Sequence, residues 1–258
     1  MNKKDLLFYD AYEEFYLMAE KSRAFQLFCA EAFGEDFSQD GFSDIRQVNM
    51  ILPFIAGENA HILDIGCGNG KMLGYLQEKT GCHIHGFDFS ENAIKAAAQK
   101  YTRRADFIAG VIGETEYAPE SFDVITSMDT MYFAKDMSAF VNQIMSWLKK
   151  GGVFFTCYQE GDVMPKTEDA FTTVLAKVLQ EKSIHFEYID ITMESYDLLR
   201  RKRKAAFKCE SLFEEEGNHS WFEMLVEQTD YANMPFDEYK KELARYVYII
   251  KNNFDNYV

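Results

Sequence analysis

The chain has 258 residues, of which 47% are hydrophobic and 27% charged, and this composition excludes disordered and collagen-like proteins. Its 27 Lys and Arg residues stand against 42 Asp and Glu residues, giving a formal net charge of −15 that disfavours nucleic acid as a general partner. No apolar run reaches the roughly 18 residues of a membrane span and no secretory signal is visible, so we expect a cytoplasmic protein without membrane spans.

Aromatic and small residues recur three and four positions apart near the N-terminus, which predicts helices. One stripe contains Tyr12 and Tyr16, and a second helix is predicted over 24–33, ending at Gly34. We therefore assign residues 1–54 to an N-terminal helical segment.

Beyond residue 60, short β-rich runs alternate with helical segments, which predicts βαβ units and a parallel sheet. The predicted strands cover 61–65, 82–87, 105–109, 122–127 and 153–158, and the helices between them include 71–79 and 137–148. We assign residues 55–160 to this α/β core.

After residue 160 the alternation weakens. The pattern predicts a helix over 168–182, a strand over 184–191, a long charged helix over 194–217 and a last strand over 245–250. We assign about 183–192 and 243–252 to the α/β core as well. The remaining segments, 161–182 and 193–242, are assigned to a helical cap. A segment inserted between the last strands lies above the carboxyl edge of the sheet, so we expect it to enclose a substrate pocket.

Three alternating glycines, Gly66, Gly68 and Gly70, follow the first predicted strand directly. Glycine permits positive φ and a close approach of backbone to a ligand, and ligands of open α/β sheets bind where strands end. A dinucleotide fingerprint requires glycine where Lys71 stands, and a Walker loop requires Ser or Thr where Met72 stands. Both phosphate-binding motifs therefore lack a defining residue.

Asp88 ends the second predicted strand, next to this glycine loop (residues 66–70). A carboxylate there accepts two charge-assisted hydrogen bonds from the vicinal hydroxyls of a ribose. The glycine loop and Asp88 together predict a nucleoside ligand without a bridging pyrophosphate.

With these features the sequence resembles the class I S-adenosylmethionine-dependent methyltransferases. The resemblance rests on runs at 62–70, 86–90, 122–125 and 148–152, which occur in the family's order. It implies a Rossmann-like, seven-stranded, mostly parallel sheet with flanking helices and one antiparallel edge strand. It also implies S-adenosylmethionine as the cofactor, with its methionine part along the glycine loop and its ribose on Asp88.

The resemblance assigns further residues to the cofactor. Phe89 packs against the adenine, and Asp64 and Met128 belong to the same site. Many relatives have a Gly-Asp pair after the third strand, whereas this chain has Val111, which offers no side-chain acceptor. The expected adenine contact is therefore the backbone around Val111 and Ile112, or the side chain of Glu114.

Candidate catalytic residues follow the fourth strand. Methyl transfer from a sulfonium releases a neutral group, so an amine acceptor needs no strong base, whereas a hydroxyl acceptor does. Asp129 and Tyr132 are candidates for holding or deprotonating the acceptor, the alternatives being a turn cap and a packing ring. His185, near the insertion, is a candidate base. No compelling base is visible, and this slightly favours nitrogen over oxygen as the acceptor atom.

Two other features have open interpretations. The stripe with Tyr12 and Tyr16 is either a packing face or a lid whose rings favour a sulfonium or ammonium group, which would place both residues at the substrate. The basic run at 200–204 is predicted to be solvated surface, with binding of an anionic substrate group as the alternative.

Five cysteines without a Cys-x-x-Cys pair indicate no metal site.

The leading hypothesis is a methyltransferase that acts on nitrogen, or oxygen, of a small-molecule acceptor. The alternatives are an RNA or protein methyltransferase, which the −15 charge disfavours in the case of RNA, and a non-catalytic protein that binds S-adenosylmethionine. The sequence does not indicate an oligomeric state.

Overall fold

Seven strands form one sheet in the computed structural model, which describes residues 8–38 and 41–253. The strands are β1 His61–Ile65, β2 His83–Asp88, β3 Ala105–Ala109, β4 Phe122–Met128, β5 Leu148–Glu160, β6 Phe186–Asp190 and β7 Ala244–Lys251. Their order is β3-β2-β1-β4-β5-β7-β6, and all neighbours are parallel except β7, which is antiparallel to both β5 and β6. The predicted mostly parallel sheet is confirmed. The antiparallel strand is not at the edge, however, because β7 lies between β5 and β6.

Ten α-helices flank this sheet within the described residues. They are α1 Tyr9–Ala19, α2 Arg23–Phe33, α3 Ile45–Asn49, α4 Lys71–Thr80, α5 Glu91–Lys100, α6 Met137–Trp147, α7 Val174–Glu181, α8 Thr192–Glu215, α9 His219–Glu227 and α10 Phe236–Glu242. Local signals set several of the ends: the Ser90 hydroxyl accepts the Ala93 N–H at the start of α5, and α2 ends at Gly34 in the left-handed conformation. None of these helices is both long and apolar enough to cross a membrane.

The strand order places a crevice at the carboxyl ends of β1 and β4. From β1 the chain proceeds outward to β2 and β3 and then crosses back to β4 on the other side of β1. The helices that follow β1 and β4 therefore leave in opposite directions, and this is where open α/β sheets bind ligands. The glycine loop follows β1, and Asp88 ends the neighbouring β2.

The helix α7 belongs to the core rather than to the cap. Its buried Leu175 and Leu179 pack in the same apolar cluster as Ile144 of α6 and Phe154 of β5. The assignment of residues 161–182 to the cap is therefore wrong over α7. The predicted helix from 168 also begins late, because the Asp169 carboxylate accepts two nearby backbone N–H groups and forms a turn before α7.

The N-terminal helices and the insertion form one helical layer, composed of α1, α2, α8 and α9. Helix α8 packs along α2 through buried residues such as Phe28 and Phe213. Glu216 joins the two at their ends, because its carboxylate accepts the Ser22 hydroxyl at 2.5 Å and the Ala24 N–H at 3.0 Å. The expected N-terminal lid and the α8–α9 part of the expected cap are thus a single packed unit.

Within the basic run at 200–204, Arg200 and Lys204 are exposed, as predicted, but Arg201 and Lys202 take part in this packing. Arg201 pairs with Asp44 and donates to the carbonyl of Ala32. Lys202 is 1% exposed, with its ammonium 5.7 Å from the Phe33 ring centre and 5.2 Å from that of Phe42. A buried charge requires a partner. The partners of these residues are distant in sequence, so the local sequence pattern could not predict them.

Candidate active site

A cavity of about 1120 Å³ opens at the carboxyl ends of β1, β2, β4 and β5. The helical layer forms its other wall. The cavity is large enough for a nucleoside with an amino-acid tail and a second small molecule, since ligand pockets commonly measure about 300–1,000 Å³. All the predicted site residues except Gly70, His185 and the alternative adenine contact Glu114 line it.

The glycine loop is shaped by its neighbours as well as by its backbone. Gly66, Gly68 and Gly70 have φ of 75°, 53° and 73°. A Cβ at Gly66 would lie 2.6 Å from a methyl carbon of Thr130, and a Cβ at Gly68 would overlap the Tyr16 hydroxyl. The loop therefore lies between the end of β4 and helix α1, with no side chain of its own filling the ligand space at these two positions.

Asp88 is tied directly to the glycine loop. The carboxylate is 7% exposed, and its two oxygens accept the N–H groups of Gly68 and Ser90, each at 2.9 Å. Burial raises its pKa to about 6, and the two backbone hydrogen bonds oppose that rise. Each oxygen keeps acceptor capacity for a ligand hydroxyl, since an ionised carboxylate offers about four lone-pair sites.

Asp64 is a second buried carboxyl group at the loop. It lies on β1 two residues before Gly66, and its Oδ1 accepts the Thr126 hydroxyl at 2.7 Å. Burial raises its pKa to about 7, with the Thr126 hydrogen bond acting in the opposite direction. Its ionisation therefore falls in the neutral range.

The region expected to bind adenine is aromatic. The Phe89 ring lies 5.6 Å from the Tyr12 ring, edge to face, so α1 and the end of β2 meet there. The Val111 N–H donates to the Thr115 hydroxyl at 2.9 Å, so this amide is not available to a ligand. Among the candidates for the adenine edge, the amide of Ile112 has no acceptor within the described chain, and Glu114 does not line the cavity.

Asp129 is held by Arg245 of β7 and is not a free base. Arg245 donates hydrogen bonds to both carboxylate oxygens of Asp129: from Nε to Oδ1 at 2.9 Å, and from Nη2 to Oδ2. Arg245 is 1% exposed, and its pKa is raised mainly by the charge of Asp129, against the effect of burial. Because Arg245 already bonds both oxygens of this carboxylate, we correct the prediction that Asp129 deprotonates the acceptor.

Tyr132 lines the cavity next to Asp129. Its ring centre lies 6.0 Å from that of Tyr158, and burial raises its pKa well above the usual value. The phenol therefore stays neutral at physiological pH and acts as a hydrogen-bonding group rather than as a base.

His185 lies outside the cavity. It directly precedes β6, whose first residue, Phe186, pairs with Ile250 of β7. The residues of β7 near the cavity, Arg245 and Tyr246, are at the other end of that strand. The exposed imidazole is therefore at the opposite end of the sheet from Asp129. We withdraw it as a candidate base, because sequence proximity to the insertion did not translate into spatial proximity.

The structure adds cavity residues that sequence reasoning missed. Gln159 near the end of β5 lies beside the buried pair, and Leu199, Tyr239 and Leu243 come from the inserted segment. We call these four residues, all of which follow β4 in the chain, the acceptor end. Only the long strand β5, which continues to Glu160, brings Gln159 to the cavity.

Comparison with known proteins gives a family. The sequence pattern of the family described as methyltransferase domain matches residues 56–217, which is more than half of the chain. Phosphoethanolamine N-methyltransferase 1 of Triticum aestivum is 33% identical over 143 residues, or 54% of this chain and 28% of the wheat protein. Phosphoethanolamine N-methyltransferase of Plasmodium falciparum is 26% identical over 215 residues, or 81% of this chain and 75% of that protein.

A solved structure shares the fold. Phosphoethanolamine N-methyltransferase 2 of Haemonchus contortus, in complex with phosphomonomethylethanolamine and S-adenosylhomocysteine, has a TM-score of 0.74 at 18% identity. The alignment covers 97% of this chain and 61% of that one, so the chain spans less than two thirds of both the wheat and the nematode protein. Because the family match begins before β1, extends through α8 and includes both the glycine loop and Asp88, the chain belongs to the class I S-adenosylmethionine-dependent methyltransferases.

Proposed function

We propose that this chain transfers the methyl group of S-adenosylmethionine to the nitrogen of a small amine. The observation that carries the proposal is one continuous cavity, which joins the glycine loop and Asp88 to the acceptor end. The carboxylate near that end, Asp129, is already paired with Arg245. The wheat and Plasmodium relatives are both N-methyltransferases, which supports nitrogen as the acceptor atom.

The residues present fit the cofactor. The glycine loop has no side chains at Gly66 and Gly68 that would block a ligand, and the Asp88 carboxylate faces the same cavity. In this proposal Asp88 accepts the ribose hydroxyls, Asp64 accepts the ammonium of the methionine part, and Phe89 and the Ile112 amide contact the adenine. When bound, S-adenosylmethionine supplies a methyl carbon to which the amine nitrogen bonds as the carbon–sulfur bond breaks and its electron pair stays on sulfur.

The protein orients the acceptor rather than activating it strongly. The Asp129–Arg245 pair fixes the end of β4, and the neutral phenol of Tyr132 is placed to hydrogen-bond the incoming molecule. Enclosure by α1 and the inserted segment excludes water, and Tyr12 and Tyr16 contribute aromatic surface on that side. Such positioning lowers the barrier because the amine lone pair, once the ammonium form has released a proton to solvent, needs only alignment with the methyl carbon.

The binding of S-adenosylhomocysteine is expected to weaken roughly tenfold when the pH falls from 7.5 to 6. The empty site holds Asp64 with a pKa of about 7 and Asp88 with a pKa of about 6, so both take up protons in this range. The ligand's ammonium and hydroxyls favour the ionised carboxylates, so binding lowers both pKa values and releases protons. Calorimetry in buffers of different ionisation enthalpy measures this release. An affinity independent of pH would contradict it, and Asp64→Asn should flatten the dependence.

The proposed reaction is tested with methyl-¹³C-labelled S-adenosylmethionine and a metabolite extract. Carbon NMR of the products distinguishes a methyl group on nitrogen from one on oxygen or carbon. We expect N-methyl signals that depend on the protein and are weaker with Asp88→Ala. Labelled O-methyl or C-methyl products, or none, would contradict the proposal. A cytoplasmic location and the absence of a nucleic-acid partner stay predictions, which cell fractionation and filter binding test.

A further inference from the structure

We infer that the acceptor is an unphosphorylated amine with an uncharged body, and that Gln159 holds a polar group of that body. This inference rests on the proposed function and goes beyond it, because it separates this chain from relatives whose names specify phosphoethanolamine. It is carried by the charges that line the cavity and by one buried amide without a protein partner in the described part of the chain.

The cavity is lined mainly by negative charge. In the described part of the chain, seven carboxylates and two lysines line it, and neither arginine nor histidine does. Of the carboxylates, Asp64, Asp88 and Asp129 have assigned partners or roles. The other four, which we call the acidic rim, are exposed at the mouth: Glu14, Asp162, Glu227 and Asp230. Of these, Asp230 pairs with Arg203 at 3.0 Å. A field of this sign attracts an ammonium ion and repels a phosphate dianion.

The two lysines offer little to a phosphate group. Lys71 is already neutralised, because its ammonium lies 2.7 Å from a carboxylate oxygen of Asp36 and 2.5 Å from the Ser38 hydroxyl. Lys135 is exposed at the mouth, one residue before Asp136. The buried Arg245 has both carboxylate oxygens of Asp129 as partners and does not line the cavity. A phosphate at the acceptor end would therefore be desolvated without a matching cation.

Gln159 is a cavity residue whose side-chain amide has no hydrogen bond to the described chain. It is 6% exposed, lines the cavity and has no side-chain hydrogen bond to residues 8–38 or 41–253. Because Gln159 lines the cavity, a ligand bound there can supply the hydrogen bond that the described chain does not. The other residues of the acceptor end, Leu199, Tyr239 and Leu243, are apolar or aromatic. The site therefore suits a body that carries a hydroxyl, carbonyl or amide rather than a charge.

Matched pairs of amines test the inference on the intact protein loaded with S-adenosylhomocysteine. The pairs are ethanolamine with phosphoethanolamine, and tyramine with its O-phosphate, which differ only in the phosphate group. We expect the unphosphorylated member of at least one pair to bind at least tenfold more tightly by calorimetry and to be N-methylated with S-adenosylmethionine. Tighter binding of the phosphorylated member, or no binding of any of the four amines, would overturn the inference.

Variants assign the effect to residues. Gln159→Leu keeps the side-chain size but removes the amide, and we expect at least a tenfold rise in the amine Kd with unchanged S-adenosylhomocysteine affinity. Gln99→Leu, on the exposed face of α5, is the matched control and should change neither. Glu227→Gln should weaken amine binding more at low than at high salt, whereas Glu223→Gln on the same helix, outside the cavity, should not.

The two proposals fail in different ways. If S-adenosylhomocysteine binds and only phosphorylated amines are N-methylated, the proposed function stands and the acceptor inference is wrong. If S-adenosylhomocysteine does not bind, or methylation occurs on oxygen or carbon, the proposed function itself is wrong. An unchanged amine Kd in Gln159→Leu would remove Gln159 from the acceptor site.

Discussion

Replacing Asp88 with alanine is expected to weaken S-adenosylhomocysteine binding about 10- to 150-fold at pH 7.5. A hydrogen bond to a charged group contributes about 1.5–3 kcal/mol, and each 1.4 kcal/mol is a factor of about ten in affinity. Asp88 also orders the glycine loop through the Gly68 N–H, so its loss affects the methionine part of the ligand as well. Calorimetry of the wild-type and variant chains measures the change directly.

This variant should remain folded, because burial already makes the ionised form of Asp88 unfavourable, as its raised pKa shows. Asp106→Ala is the matched control: the carboxylate lies on the adjacent strand β3, is exposed and does not line the cavity. We expect it to bind the ligand as the wild type does. Equal affinities of the Asp88→Ala and wild-type proteins would contradict the ribose assignment.

The substitution Gly68→Ala is expected to reduce S-adenosylhomocysteine affinity at least tenfold and to lower the free energy of unfolding by roughly 1 kcal/mol or more. The left-handed conformation at φ 53° costs a non-glycine residue roughly 1–2 kcal/mol. In addition, the new methyl group overlaps the Tyr16 hydroxyl, so α1 or the loop must move. Denaturant unfolding and calorimetry measure the two effects separately.

Gly113→Ala separates backbone strain from this clash. Gly113 has φ of 81°, but no atom lies within 4 Å of the place that a Cβ would occupy, so only the strain contribution applies there. We expect a similar strain cost to stability and no loss of ligand affinity. Equal affinity losses in the two variants would show that the contact between α1 and the glycine loop is unimportant for binding.

Local patterns were sufficient to predict the glycine loop and the position of Asp88 at the end of the next strand. The strand, the alternating glycines and the following helix are contiguous, and Ser90 and Asp88 lie at the end of the next strand. Each of these features depends on residues a few positions apart, where period, capping and turn preferences act. The acceptor side was predicted less well, because its residues come from segments that are distant in sequence.

The pair of Asp129 and Arg245 shows why. The two residues are 116 positions apart, and nothing near Asp129 in the sequence indicates that a buried guanidinium from β7 will bind it. An arginine inside an apolar final strand was the one available signal, since a buried charge requires a partner. The prediction for His185 was wrong for the opposite reason. His185 is close to the insertion in sequence, but β6 runs antiparallel to β7 and therefore places His185 at the far end of the sheet.

The inserted segment and the N-terminal helices were also predicted as separate units. Their packing is a tertiary property, since α8 buries Phe213 against α2 and Glu216 binds the start of α2. Patterns within each helix gave the apolar faces but not which faces meet. The combined helical layer explains why one cavity has aromatic residues from both ends of the chain, such as Tyr12 and Trp221.

A crystal structure of this protein soaked with S-adenosylhomocysteine tests the central claim most directly. The account predicts ligand density in the cavity with the ribose hydroxyls on the Asp88 carboxylate and the homocysteine part along residues 66–70. Density for the nucleoside elsewhere, or a cavity left empty at saturating ligand, would contradict it.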